Sequence, residues 1–362
     1  LTEPYVSPQG TANMDLKPYL DDLEQRVDND AEEALLTSWR NFLDGRFTGD
    51  IFSPRRPKPA PPTLPWPKVM VNTALEDYNQ MALQQFGECS GAIAGGRGNM
   101  LNVRCNYGTG ILPSLFDAEI FLMDYEHNTL PTTKPIPGGL DGIKKLLDAG
   151  IPDLNRGFGK HVFAIGEYFQ ELLAPYPKLR QHVAIYHPDL QGPMDVCELL
   201  CGSDIFLYLF DEADLMHALL TLVTDTCAAF MRRWQSIVPY TAPESRHWGF
   251  LHRGAIMLRD DSAMNLSPDM FKEFILPYNQ RLFDIFGGGG DHFCGRGDHF
   301  IPILKNLKGL DGIAMSQPEY NDMEIIYANT VDCGLKLFGL RRDAAENALR
   351  AGRSLHGLVH CW

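Results

Sequence analysis

The segment Asp291-His292-Phe293-Cys294-Gly295-Arg296-Gly297-Asp298-His299 carries the densest set of chemically capable side chains in this 362-residue chain. In a strand, residues two apart share a face, so His292 and Cys294 project together. An imidazole beside a thiolate suits zinc, and a catalytic zinc takes three protein ligands with a fourth position left open. The last residues, His356-Gly357-Leu358-Val359-His360-Cys361-Trp362, offer Cys361 as the third ligand. Cys333 is its rival, but it falls in or just after a helix, where core packing is the ordinary role. A His-x-Cys pair also arises by chance, and a buried cysteine needs no metal. The packing reading therefore stands beside the metal reading.

These residues need elements to position them. From about residue 100, short apolar runs alternate with amphipathic helices, the pattern of a parallel sheet with crossover helices. Strands are expected near 100–104, 161–165, 182–186, 255–258, 290–294, 311–315, 335–338 and 356–360, with 118–123 competing for the second place. Helices are expected at 193–202, 212–235, 268–285, 299–307, 321–331 and 342–351. Eight strands fit a (β/α)8 TIM barrel over 71–362, with its active face at the strand C-termini. Residues 1–70 read as part of the same domain. Two helices span 15–45, with Asn29 or Asp30 able to cap the second. Seven prolines between Pro54 and Pro67 make an extended arm, lying along the surface or reaching to a second copy. A further helix covers 72–86. The chain stops just after the eighth strand, and the N-terminal helices are expected to cover that gap.

Strand ends supply the remaining candidates. Asp260 and Asp261 follow the fourth strand, and Tyr186 and His187 end the third. Arg104, Asn106 and Tyr107 follow the first, and Gln317 and Glu319 the sixth. His299 opens a helix beside the His292 motif. Asp261, Tyr186, His187 and His299 are expected in catalytic roles. Arg104, Asn106, Tyr107, Asp260, Gln317 and Glu319 are expected to contact substrate. Core packing, capping and solvent contact are the structural alternatives at each position. Gly95-Gly96-Arg97-Gly98 precedes a strand instead of joining strand to helix, which argues against a Rossmann site. No Gly-x-Ser-x-Gly elbow occurs.

Composition narrows the classes. A net charge of -14 with no offsetting basic run makes nucleic acid a poor partner. No stretch approaches about 18 consecutive apolar residues, so no membrane span is expected. Eight cysteines scattered through a long chain lack the density of a disulfide scaffold. Reduced thiols and a cytoplasmic location are expected.

The stretch from Asp260 to Tyr278, the turn His292-Phe293-Cys294-Gly295 and the segment Gln191-Gly192-Pro193 through Gly202 resemble the uroporphyrinogen decarboxylase superfamily. The resemblance covers roughly residues 100 to 361; the first 70 match nothing usable. It implies one of two activities. One branch decarboxylates uroporphyrinogen without metal and carries an N-terminal Arg-x-Ala-Gly-Arg-Tyr signature. That signature is absent here; Arg40 and Arg46 replace it poorly, and Arg97 and Arg104 only in part. The other branch moves a methyl group from a methylated corrinoid protein to a thiol, with zinc held by His-x-Cys and a much later Cys. His292, Cys294 and Cys361 resemble that pattern, although the family usually has more chain after the last cysteine. The resemblance therefore implies a zinc-dependent methyltransferase with a corrinoid protein as donor, and often a homodimer. A metal-independent decarboxylase is the first alternative. A barrel that binds a tetrapyrrole or corrinoid without turnover is the second.

Overall fold

The computed structural model describes residues 15–241 and 243–362; the expectations for the first 14 residues lie outside it. The architecture is mixed α/β, with short parallel strands and many helices. The strands are β1 (Ile51–Phe52), β2 (Asn102–Val103), β3 (Ile120–Phe121), β4 (Thr132–Thr133), β5 (Ala184–Ile185), β6 (Glu244–His247), β7 (Phe250–Arg253), β8 (Ile256–Arg259), β9 (Gly289–Phe293), β10 (Leu310–Met315), β11 (Lys336–Phe338) and β12 (Val359–His360). Six form one parallel ladder in the order β1-β12-β11-β10-β9-β8, and β2 pairs with β5 in a second parallel ladder. Two antiparallel hairpins, β3–β4 and β6–β7, are added to this frame. Backbone hydrogen bonds tie the hairpin turn to β2, as Met100 N donates to Gly249 O at 2.9 Å.

Seven of the expected strands coincide with parallel strands, but 161–165 does not. It lies inside the helix Gly159–Leu173. Val162, Ile165, Gly166, Phe169 and Leu173 are buried at helical spacing, so the apolar run reads as strand only over a short window. The competitor at 118–123 contains β3, which pairs antiparallel with β4. The eighth parallel strand is β1, held by its register with β12. The prolines from Pro54 onward cannot donate to a ladder, and β1 ends just before them.

The start of β9 explains the four-glycine run. Gly288 has φ of +83°, and a Cβ on Gly289 would sit 1.7 Å from Ile256 O. Only glycine lets the starts of β8, β9 and β10 approach this closely. The N-terminal helices Lys17–Arg26 and Asn29–Leu43 occur as expected, although Asp28 caps the second, accepting from Ala31 N at 3.1 Å. Trp39 and Phe42 from that helix are fully buried against Phe52 of β1. The region 268–285 divides into two helices, Pro268–Phe274 and Leu276–Phe286. Ala213–Ile237 is apolar and long enough to cross a bilayer by length and composition, a candidate the sequence reading did not anticipate. It buries a core face that includes Leu219, Val223, Phe230 and Trp234.

Candidate metal centre

Strand register builds the site. Arg259 at the end of β8 lies opposite His292 of β9, and Asp260 N donates to His292 O at 2.8 Å. The chain then turns into a short 3-10 helix at Asp261, which brings that carboxylate over the neighbouring strand end. His292 Nε2 lies 3.4 Å from Cys294 Sγ and 3.7 Å from Asp261 Oδ1. Asp261 Oδ1 also accepts from Cys294 N at 2.8 Å, which holds the turn. The loop behind is fixed by Gly295 N donating to Gln317 Oε1 at 2.6 Å, and Ser316 Oγ stands 3.4 Å from the Cys294 sulfur.

Ligand atoms of Asp261, His292 and Cys294 all lie within 4.8 Å of one another. Zinc bonds of about 2.0 to 2.3 Å in a tetrahedron put ligand atoms roughly 3.3 to 3.6 Å apart, close to the 3.4 and 3.7 Å that separate His292 Nε2 from its two partners. Burial pushes the His292 imidazole down to about 4, opposed by Asp261, so it is neutral and able to coordinate at neutral pH. Burial pushes the Cys294 thiol up to about 11, partly offset by Ser316. A cation is what would ionise it. His292 Nδ1 is buried without a hydrogen-bond partner.

Cys361 does not join this group. In the sheet, β12 is separated from β9 by β11 and β10. Strand parity finishes the separation: the His360 ring packs on Trp39, Phe250 and Trp362, so Cys361 points the other way. Cys361 is fully buried, and its thiol, pushed up to about 11 chiefly by burial, also feels Arg342, Glu346 and Asp343 of the last helix. Cys333 is exposed and its sulfur lies 3.4 Å from Ala328 O, away from the cluster.

The other candidates scatter. His187 uses both ring nitrogens on backbone, Nδ1 on Pro188 O at 2.7 Å and Nε2 on Met257 N at 2.9 Å. Tyr186 is buried edge-on to His247. His299 is held by Leu266 O at 3.0 Å. Asp260 is fully buried behind the sheet, accepting from Asn279 Nδ2 at 2.6 Å. Tyr107 is fully buried between Phe158 and His161. Asn106 donates to Gln84 Oε1 at 3.0 Å. Glu319 pairs on the surface with Arg341 at 2.9 Å. Arg104 is ion-paired with Asp189, which also binds Arg259.

Three contributors went unnoticed in the sequence. Asp195 takes Asp261 N at 2.9 Å and Ser262 N at 2.8 Å, so it positions the carboxylate turn. Arg259 lies 4.6 Å from the Trp248 ring, and Trp248 stands edge-on to His292 at 5.2 Å. Trp248 has φ of +49° and Gly249 +83° at the tip of the β6–β7 hairpin. A two-residue turn of this kind favours Asn-Gly, and a bulky residue there costs of order 1–3 kcal/mol, a strain that tends to mark functional sites. The Trp-Gly pair between two short alternating segments was the available signal.

No protein-family model matches the sequence, and no curated protein matches it. A structural match exists. The chain is similar to the solved structure of a methyltransferase from Methanosarcina mazei, with a TM-score of 0.60 and 18% sequence identity over 90% of this chain and 92% of that one. At that identity the likeness concerns the fold.

Proposed function

We propose that this chain is a methyltransferase-like enzyme of the uroporphyrinogen decarboxylase superfamily whose eight parallel strands form a TIM-type barrel. In this reading it moves a methyl group from a methylated corrinoid on a partner protein to a thiol acceptor, with zinc held by Asp261, His292 and Cys294. The observation that carries the reading is the spacing of those three ligand atoms, which suits a tetrahedral ion with one position left for an acceptor sulfur. Bound there, zinc would keep the acceptor as a nucleophilic thiolate at neutral pH. Asp195 holds the Asp261 turn, Ser316 contacts the Cys294 sulfur, and Trp248 packs edge-on against His292. The structural match to a methyltransferase is compatible with this chemistry but does not specify it.

The metal-independent decarboxylase is less well supported, because a polycarboxylate needs free cationic donors and Arg104 and Arg259 are both engaged by Asp189. Elemental analysis of the protein purified without a metal-affinity tag tests the proposal. Stoichiometric zinc that is lost in Cys294→Ser supports it. An active protein free of metal would replace it with the decarboxylase reading.

A further inference from the structure

A metal-binding imidazole normally has its ring fixed through the nitrogen that does not touch the ion, which donates to a carboxylate, a carbonyl or a water. His292 lacks that anchor. Its Nδ1 is buried without a hydrogen-bond partner, and burial keeps bulk water from supplying one. The Ala314 backbone, opposite in β10, is near enough to favour a protonated ring, but no hydrogen bond of ordinary geometry reaches Nδ1. On the other side, Nε2 meets only the candidate ligand atoms of Cys294 and Asp261, at 3.4 and 3.7 Å. Backbone hydrogen bonds hold His187 and His252; they do not set the orientation of this ring. Packing has to set it instead.

Trp248 supplies that packing. The two rings meet edge-to-face, with centroids 5.2 Å apart and planes at 65°, an arrangement that aromatic neighbours favour.

The tryptophan is itself held on several sides. His247 pairs with Phe250 in the β6–β7 register, so Trp248 and Gly249 form a two-residue turn, at φ of +49° and +83°. Such turns favour Asn-Gly, and a large ring in the left-handed region persists only where its surroundings over-determine it. They do so here. Gly249 O accepts from Met100 N at 2.9 Å, and a Cβ on Gly249 would lie 2.8 Å from Asn99 Nδ2. Phe250, the next residue, stacks on Phe338 and on Trp362, with centroid distances of 5.8 and 5.2 Å. Over the indole lies the Arg259 guanidinium, 4.6 Å from the ring and ion-paired with Asp189. A side chain locked by its neighbours can hold a ligand in place as a hydrogen bond would.

We propose that Trp248 is a positioning residue of the candidate metal centre: its ring, fixed by the strained turn and by Arg259, holds the His292 imidazole with Nε2 towards Cys294 and Asp261. This rests on the metal reading of the site, and the test separates the two. Zinc affinity of the full-length chain is measured by competition with a chromophoric chelator. The visible spectrum of the cobalt-loaded chain reports the geometry at the ion.

Trp248→Asn suits the turn and removes the ring. It should weaken zinc binding about tenfold or more and alter the cobalt bands, while the melting temperature of the metal-free protein changes little. Trp248→Leu keeps apolar bulk without a ring and should lose zinc affinity likewise. Trp248→Phe keeps an aromatic neighbour and should bind zinc within about threefold of the parent. A lower melting temperature with zinc affinity and cobalt spectrum unchanged would make the indole a packing residue only, and overturns the proposal. If the parent binds zinc and the Asn and Leu variants bind it equally well, the positioning role alone fails. If the parent takes up no zinc, the metal reading fails and this one falls with it.

Discussion

A buried group of imidazoles and a half-buried cluster of ligand atoms flank Trp248. His187, His247 and His252 form one, and His292 with Cys294 and Asp261 forms the other. Burial pushes His187 and His292 alike down to about 4, so basicity does not separate them. Their partners do. Pro188 O can only accept and Met257 N can only donate, so the backbone uses both nitrogens of His187. Arg253 O takes the Nδ1 proton of His252 at 2.9 Å, which makes His252 Nε2 the acceptor for His247 Nδ1 at 2.6 Å. In the second group Nε2, Sγ and a carboxylate oxygen face one another, and only that carboxylate oxygen also accepts from backbone, at Cys294 N. Backbone holds His187 and His252, whereas His247 meets only His252, and His292 Nε2 meets only other side-chain ligand atoms.

The contrast can be broken by substitution. The largest effect is expected at His187→Ala, which strands a buried N–H and a buried carbonyl and opens a cavity. Urea denaturation should show a loss of about 3–4 kcal/mol, with zinc content unchanged; loss of zinc would erase the distinction between the groups. Cys294→Ser should do the reverse. Zinc affinity should fall at least about 100-fold, the upper range for losing even a supporting contact, while the metal-free protein unfolds within about 1 kcal/mol of the parent.

A pH series sharpens the same comparison. His360 is buried and pushed down to about 3 by burial, and its Nδ1 accepts from Gly339 N at 3.0 Å. The unfolded chain takes up a proton near pH 6.5, and the folded chain does so only near pH 3. His360 therefore costs stability as pH falls through that window. His360→Asn keeps an acceptor for Gly339. Between pH 6.5 and 4.5 the parent should lose about 2 kcal/mol relative to this variant, measured by chemical denaturation at each pH. A constant difference would show that His360 protonates inside the fold. The smallest effect belongs to Cys361→Ala, which should cost about 1 kcal/mol and leave zinc untouched. Loss of zinc there would restore the sulfur to the centre.

Apolar runs of a few residues located seven of the parallel strands, because a parallel sheet with helices packed on it buries both faces. They misplaced 161–165, where a helix buried on much of its circumference shows the same short run. They missed β1, since two residues before a proline arm carry no periodic signal and become a strand only through β12. At the site, the His292–Cys294 pairing was legible because i and i+2 share a face. The third member, Asp261, stood among the catalytic candidates but was not assigned to the metal. Asp261 comes from the turn that follows the adjacent strand, and choosing it over Cys361 requires strand order and the parity of β12.

Local order in the chain thus determined which residue types could meet within one strand, where most strands and helices fall, and that the surface is acidic. Tertiary structure decided which strand ends are neighbours, which nitrogens the backbone consumes, and that a tryptophan sits strained beside His292. Those outcomes depend on register and side-chain facing between distant segments, and a shift of one residue in either would reverse every one of them.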